Sequence, residues 1–181
     1  MSFLTTITCD TAVAERFCEE IRCSPPKRGM IVGLDTEWKR LDDDACMMAL
    51  LQLCVRTRVL VFQVLYAACC DLPEVLKRFL TKEDHIFTGA HIENDVKRLR
   101  DDFGITISNP IDLQLVVPEA ASRFKVRHSS LEKIATEVLR LPHLKKPGGV
   151  DYNNWDTKYL HRLQVEYAAV DAYLSYEIRP V

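Results

Sequence analysis

The chain has no surplus of either charge. Its 181 residues hold 24 Lys+Arg against 26 Asp+Glu, a formal −2, which excludes a protein that grips nucleic acid by bulk positive charge. An enzyme that keeps acids in its site and collects bases nearby is still allowed. Glycine is scarce, at 6 residues, and no glycine-rich phosphate loop follows any predicted strand. No apolar run approaches the ~20 residues that span a bilayer, so no membrane association is expected. The start, Met1-Ser2-Phe3-Leu4-Thr5-Thr6, has neither a basic region nor a long apolar one, and a secretory signal is not expected. Seven cysteines are an odd number and none forms a C-x-x-C pair, against a zinc ribbon or a dithiol redox site. Most lie in apolar stretches such as Leu53-Cys54-Val55, where a thiol acts as a small hydrophobe. Buried, reduced cysteine in the nucleus or cytoplasm is the expectation.

What is present fits one ordinary globular unit. Hydrophobic residues make up 48% and charged residues 28%, and neither a repeat nor a linker divides the chain. A single domain over 1–181 is expected. Periodicity predicts strands over 3–8, 30–34, 49–55, 58–65 and 85–89, the third and fourth joined by a turn at Arg56-Thr57. Helices are predicted over 11–21 after an Asp10 cap, 73–80, 92–103 up to Gly104, 130–139 after Ser129 or Ser130, and 160–178. The order implies an α/β fold, a mixed sheet flanked by helices on both faces.

Three elements carry acid toward the interior. Asp35 and Glu37 are two apart at the end of the apolar strand Met30-Ile31-Val32-Gly33-Leu34, so they share a face. Asp95 falls on the apolar stripe Ile92, Val96, Leu99, Phe103 of its helix. Asp171 joins the expected inward stripe Leu163, Tyr167, Val170, Leu174, Ile178, with Tyr167 one turn before it. Singly, each is compatible with a solvated strand end, a backbone-bonded Asp or a Tyr–Asp brace. Together, four carboxylates converging with no Lys or Arg on those stripes would strongly destabilise a fold. Hard divalent ions with oxygen ligands remove that problem, and a pair of them suits in-line phosphoryl displacement.

The motifs resemble those of the DnaQ-like, or DEDD, 3′–5′ exonucleases of ribonuclease-H-like fold. The first, D-x-E, reads Gly33-Leu34-Asp35-Thr36-Glu37-Trp38; the second, Gly89-Ala90-His91-Ile92-Glu93-Asn94-Asp95; the third, Tyr167-Ala168-Ala169-Val170-Asp171. The chain is most similar to the exonuclease domain of Werner-syndrome-type proteins, including small stand-alone plant forms, over 30–178. In the histidine branch a His lies five before the last Asp; here that residue is Glu166, and Tyr167 indicates the tyrosine branch. The resemblance implies two divalent cations, Mg²⁺ or Mn²⁺, held by Asp35, Glu37, Asp95 and Asp171. Asp35 would bridge both, Glu37 and Asp171 would complete the water-activating site, and Asp95 would hold the second ion. Tyr167 would orient the attacking water by hydrogen bonding. The implied reaction releases nucleoside 5′-monophosphates from the 3′ end of DNA or RNA.

For the substrate, residues 123–146 hold seven basic residues against two acidic ones. Arg123, Lys125, Arg127, Lys145 and Lys146 are the expected phosphate contacts. Thr36 and Trp38 adjoin the metal strand, and Trp38 is suited either to stacking on a terminal base or to packing under the sheet. Trp155 is expected to anchor a loop. A catalytically silent binding or scaffold module on the same fold is the alternative, and an endonuclease a third reading. Neither the nucleic acid nor the oligomeric state follows from these motifs, and a homo-oligomer or protein partner is compatible with them.

Overall fold

The computed structural model describes residues 2–22, 29–41, 46–120, 127–140, 147–152 and 154–178. Six strands form one sheet in the order β1-β4-β3-β2-β5-β6. They are β1 Leu4–Thr8, β2 Ile31–Arg40, β3 Cys46–Val55, β4 Arg58–Gln63, β5 Ile86–Gly89 and β6 Pro110–Asp112. The pairs β2–β3 and β3–β4 are antiparallel; β1–β4, β2–β5 and β5–β6 are parallel. β3 and β4 form the expected hairpin, with Arg56 at φ 56 in its turn. β2 runs beyond the expected end at 34, so Asp35 and Glu37 lie inside a ten-residue strand rather than at its tip. The extension is paired with β3 through Arg40↔Cys46. Those ladder bonds outweigh the weak strand preference of a stretch with four charged residues.

The helices are α1 Thr11–Arg22, α2 Glu74–Leu80, α3 Ile92–Phe103, α4 Leu113–Ala120, α5 Leu131–Leu139 and α6 Arg162–Glu177. The Asp10 carboxylate accepts from the Ala12 N–H at 2.8 Å, opening α1. Gly104, at φ 65, closes α3 in the left-handed turn that favours glycine. Ser130 caps α5 by accepting from the Lys133 N–H. That makes Lys133 the third residue of the helix, and Glu132 is out of register for a capping box. The sheet separates two apolar clusters. One gathers Phe17, Leu34, Leu53, Phe62, Leu76, Phe87 and Leu99; the other gathers Leu50, Val61, Leu113, Ile134, Trp155, Ala168 and Leu174.

α6 buries only the later part of the stripe expected for it: Asp171, Leu174 and Ile178 are buried. Leu163, Tyr167 and Val170 are only partly buried, while Gln164, Ala168, Ala172 and Ser175 face inward. The helix lies so close to β2 that large side chains have no room. A Cβ added at Gly33 would fall 2.1 Å from the Ala172 carbonyl oxygen and 2.6 Å from the Tyr176 nitrogen. Alanines on one side and glycine on the other permit this approach. β6 and α4 have no counterpart in the sequence reading: β6 is three residues long, and α4 contains Pro118, a residue normally read as a helix stop.

The six described cysteines are free thiols, but only Cys18 and Cys54 are buried; Cys69 and Cys70 are exposed. The expectation that most would be buried is therefore corrected. The pair occupies a single 3₁₀ turn, Ala68–Cys70, at the surface, beyond the apolar strand that the composition suggested. No helix among the described residues is long and apolar enough to cross a membrane.

His85 carries a pH signature. Its ring lies between Phe79 and Phe87, with centroids 4.7 and 6.1 Å away, and is 6% exposed. Burial lowers its pKa below 6.5, opposed by Asp84 nearby. The unfolded chain then takes up this proton first, so the contribution of neutral His85 is complete above pH 6.5 and declines as pH falls below it. Asp95 titrates with the opposite sense, so the check is a difference. The urea midpoint of His85→Leu relative to the parent is expected to rise between pH 7.5 and 5.5; a constant difference would refute it.

Candidate active site

The site forms where β2 outruns its neighbour. β5 pairs with β2 only from Ile31↔Ile86 to Gly33↔Thr88; past Gly33, that edge of β2 carries no ladder among the described residues. Helices from either face of the sheet can reach the strand there. This is the carboxyl-end crevice where α/β sheets usually bind ligands.

On the α6 face stand Asp35 and Glu37, with Asp171 opposite them. One ligand oxygen from each lies within 4.8 Å of the others. At that spacing each ionised pair repels by about 3 kcal/mol at an effective dielectric constant near 20. Three pairs reach about 10 kcal/mol, comparable with the net stability of a domain. A purely carboxylate donor set suits a hard divalent cation such as Mg²⁺ or Mn²⁺. The residues present therefore fit the expected ions.

Asp95 approaches from α3, on the other face. It is 7% exposed and stands outside the group of three. Its carboxylate accepts a hydrogen bond from the Thr36 hydroxyl, which in turn accepts from the Trp38 indole N–H at 2.9 Å. Burial pushes the Asp95 carboxyl up to about 7, against the lowering effect of the Thr36 bond. Asp35 lines both cavities at the crevice. One, of about 770 Å³, also takes in Trp38, His91, Asn94, Asp95 and Arg98. The other, of about 420 Å³, takes in His91, Gln114, His128, Ser130 and Asp171. Asp35 thus joins the α3 and α6 sides of the site.

Tyr167 precedes Asp171 by one helical turn and is packed into aromatic neighbours. Tyr152 meets it edge-on at 5.1 Å and Trp155 at 6.1 Å. Trp155 is 2% exposed, the loop anchor expected of it. Its loop is fastened at both ends. Gln164 donates to the Asp151 and Asn154 carbonyls, while Lys39 pairs with Asp156 and holds that carboxyl below the usual range.

The expected substrate contacts fare differently. Arg123, Lys125, Lys145 and Lys146 lie outside the described residues. Arg127 is described and exposed, 3.9 Å from Glu119. The Thr36 side chain is buried and engaged with Asp95 and Trp38, so it braces the site instead of facing a cavity. Trp38 packs against the apolar cluster, and the Arg98 guanidinium lies 4.3 Å over its ring; a base stacking on that face would have to displace Arg98. The sequence reading placed His91 in the second motif and His128 in the basic segment, but did not place either beside the carboxylates, where both line a cavity with Asp35 and Asp171. It also missed Gln52, the lone polar residue in the run Ala49-Leu50-Leu51-Gln52-Leu53-Cys54.

Comparison with known proteins agrees with this geometry. The human exonuclease 3′-5′ domain-containing protein 2 is 29% identical over 148 residues, covering 80% of this chain and 24% of that protein. A 3′-5′ exonuclease of Arabidopsis thaliana is 28% identical over 179 residues, covering 94% of this chain and 60% of its own length. The chain thus spans about a quarter of the first relative and about three-fifths of the second. Among solved structures, the Aedes aegypti Nibbler EXO domain superposes with a TM-score of 0.76 at 18% identity, covering 96% of this chain and 84% of that one. The EXD2 exonuclease domain soaked in Mn gives 0.57 at 24% identity, covering 97% and 86%. These likenesses show the ribonuclease-H-like exonuclease fold. The model of the 3′-5′ exonuclease family matches residues 4–180, and the chain belongs to that family.

Proposed function

We propose that this chain is a single 3′–5′ exonuclease domain that hydrolyses the terminal phosphodiester of DNA or RNA with two divalent cations. The observation that carries the reading is the convergence of Asp35, Glu37 and Asp171 to within 4.8 Å. Family membership and the manganese soak of the EXD2 domain support it. When bound, a pair of Mg²⁺ or Mn²⁺ ions supplies Lewis acidity and lowers the pKa of water.

The chain's own residues do the rest. Asp35, which lines both cavities, would help hold both ions; Glu37 and Asp171 would hold one with it and Asp95 the other. Thr36 holds Asp95 in its rotamer. Tyr167 directs the lone pair of the attacking water toward phosphorus. The water oxygen bonds to phosphorus, the bond to the 3′ oxygen of the penultimate nucleotide breaks, and that oxygen gains a proton. A nucleoside 5′-monophosphate leaves, and the shortened strand keeps a 3′-hydroxyl. The basic residues 123–146 and Arg98 hold the strand by its phosphates.

The test is a parallel digestion of single-stranded DNA, duplex DNA with recessed 3′ ends, RNA and a circular single strand, with Mg²⁺ or Mn²⁺. Stepwise shortening of a linear substrate with release of 5′-monophosphates is expected, with the circle intact. Binding without hydrolysis would instead indicate a silent module, and cutting of the circle an endonuclease. Tyr167→Phe is expected to lower kcat about a hundredfold, at the lower end of proton-transfer and positioning effects. KM and Mn²⁺ affinity should change little, because the phenyl ring that remains still packs against Tyr152 and Trp155. An unchanged kcat would remove Tyr167 from the mechanism.

A further inference from the structure

β3 supplies none of the four carboxylates, yet it sets a glutamine directly beside one of them. Gln52 is the Cα partner of Asp35 in the β2–β3 ladder. Opposite residues of an antiparallel pair project from the same face, with Cβ atoms about 4.5–5.5 Å apart. Across β4 its partner is Val61, and the buried residues of that face include Leu50, Cys54, Val59, Ala168 and Ala172. In this apolar setting Asp35 is the polar side chain directly opposite Gln52.

Gln52 is fully buried, and neither its amide nitrogen nor its oxygen reaches a hydrogen-bond partner. The other three buried glutamines among the described residues each have one. Gln63 donates to the Thr157 and Lys158 carbonyls, Gln114 to Ser129, and Gln164 to Asp151 and Asn154. A buried amide left unpaired is costly, and Met would fill the same volume without that cost. The exception falls at the register position of the carboxylate that lines both cavities.

We infer that Gln52 is a positioning residue for the metal site: its amide N–H donates to the Asp35 carboxylate when that carboxylate holds a cation. The bond fixes which carboxylate oxygens face the ion. Hydrogen-bond partners of this kind typically change metal affinity by about 10–100-fold when removed. The inference rests on the exonuclease reading above and adds a residue to it.

The test is Mn²⁺ titration calorimetry on the parent and Gln52→Met, with urea unfolding of both in EDTA. Gln52→Met is expected to be at least as stable in EDTA, since it buries no unpaired amide. Its Mn²⁺ dissociation constant is expected to rise about tenfold or more. Equal Mn²⁺ affinity, within twofold, in two folded proteins would overturn the inference and leave the exonuclease reading standing. A parent protein that takes up no Mn²⁺ would overturn both. If Gln52→Met does not fold, NMR of the parent decides: the Gln52 side-chain amide signals should move as Mg²⁺ saturates the site, and unmoved signals would refute the role.

Discussion

Asp35→Asn should lower the rate of 3′-end digestion by at least a thousandfold, about 4 kcal/mol in the barrier. The substitution keeps the volume and planar shape of the side chain, so β2 and its ladder to β3 are undisturbed. It removes one negative charge from the carboxylate that lines both cavities. In the proposed site hard cations would be held by charge on oxygen, and the amide offers only one neutral oxygen. On the proposed reading, loss of Asp35 would therefore affect both cation positions, whereas loss of Asp95 would touch one. Calorimetry should show Mn²⁺ binding reduced in parallel with activity, and urea unfolding in EDTA should be unchanged or shifted to higher urea, since one repulsive charge is gone. Digestion at the parent rate would exclude Asp35 from the reaction and with it the two-cation reading.

Gly33→Ala is expected to cost about 3 kcal/mol or more of stability. The new Cβ would sit 2.1 Å from one backbone atom of α6 and 2.6 Å from another, and a backbone cannot swing aside as a side-chain tip can. Relief requires α6 to retreat from β2. That helix carries Asp171 and Tyr167, so the carboxylate triad opens as the helix moves. For a chain of this size the melting temperature should fall by roughly 10 °C, and Mn²⁺ should restore less than it does in the parent. A Gly33→Ala protein with the parent melting temperature would show that α6 does not lie against β2 as described.

Much of this was legible in the residues themselves. Apart from β6 and α4, the strand-and-helix order follows from hydrophobic periodicity, and α3 ends where Gly104 stops it. Asp95 and Asp171 read as buried because they interrupt apolar stripes, and both are buried. Three features were not legible. β2 continues past its apolar run because a neighbouring strand pairs with it, and local preference gives no hint of that. The inward face of α6 includes Ala168 and Ala172, small residues that a hydrophobicity pattern ranks below Leu163 and Val170. Gln52 is one polar residue in an apolar run that the sequence reading passed over, and its position opposite Asp35 depends on strand register.

The sequence alone determined the chemistry available: four acids, a tyrosine one turn before the last of them, and no opposing cations on their stripes. Such features are local, set by residue type and by spacing along one element. Only the tertiary structure decided how the acids combine. β5 stops pairing at Gly33, which opens an edge of β2 to helices from both faces. Glycine at 33 lets α6 close onto that strand, which gathers Asp35, Glu37 and Asp171 into one group. Asp95 approaches from the other face through Thr36. Those relations depend on residues far apart in the chain, and packing and register, not periodicity, bring them together.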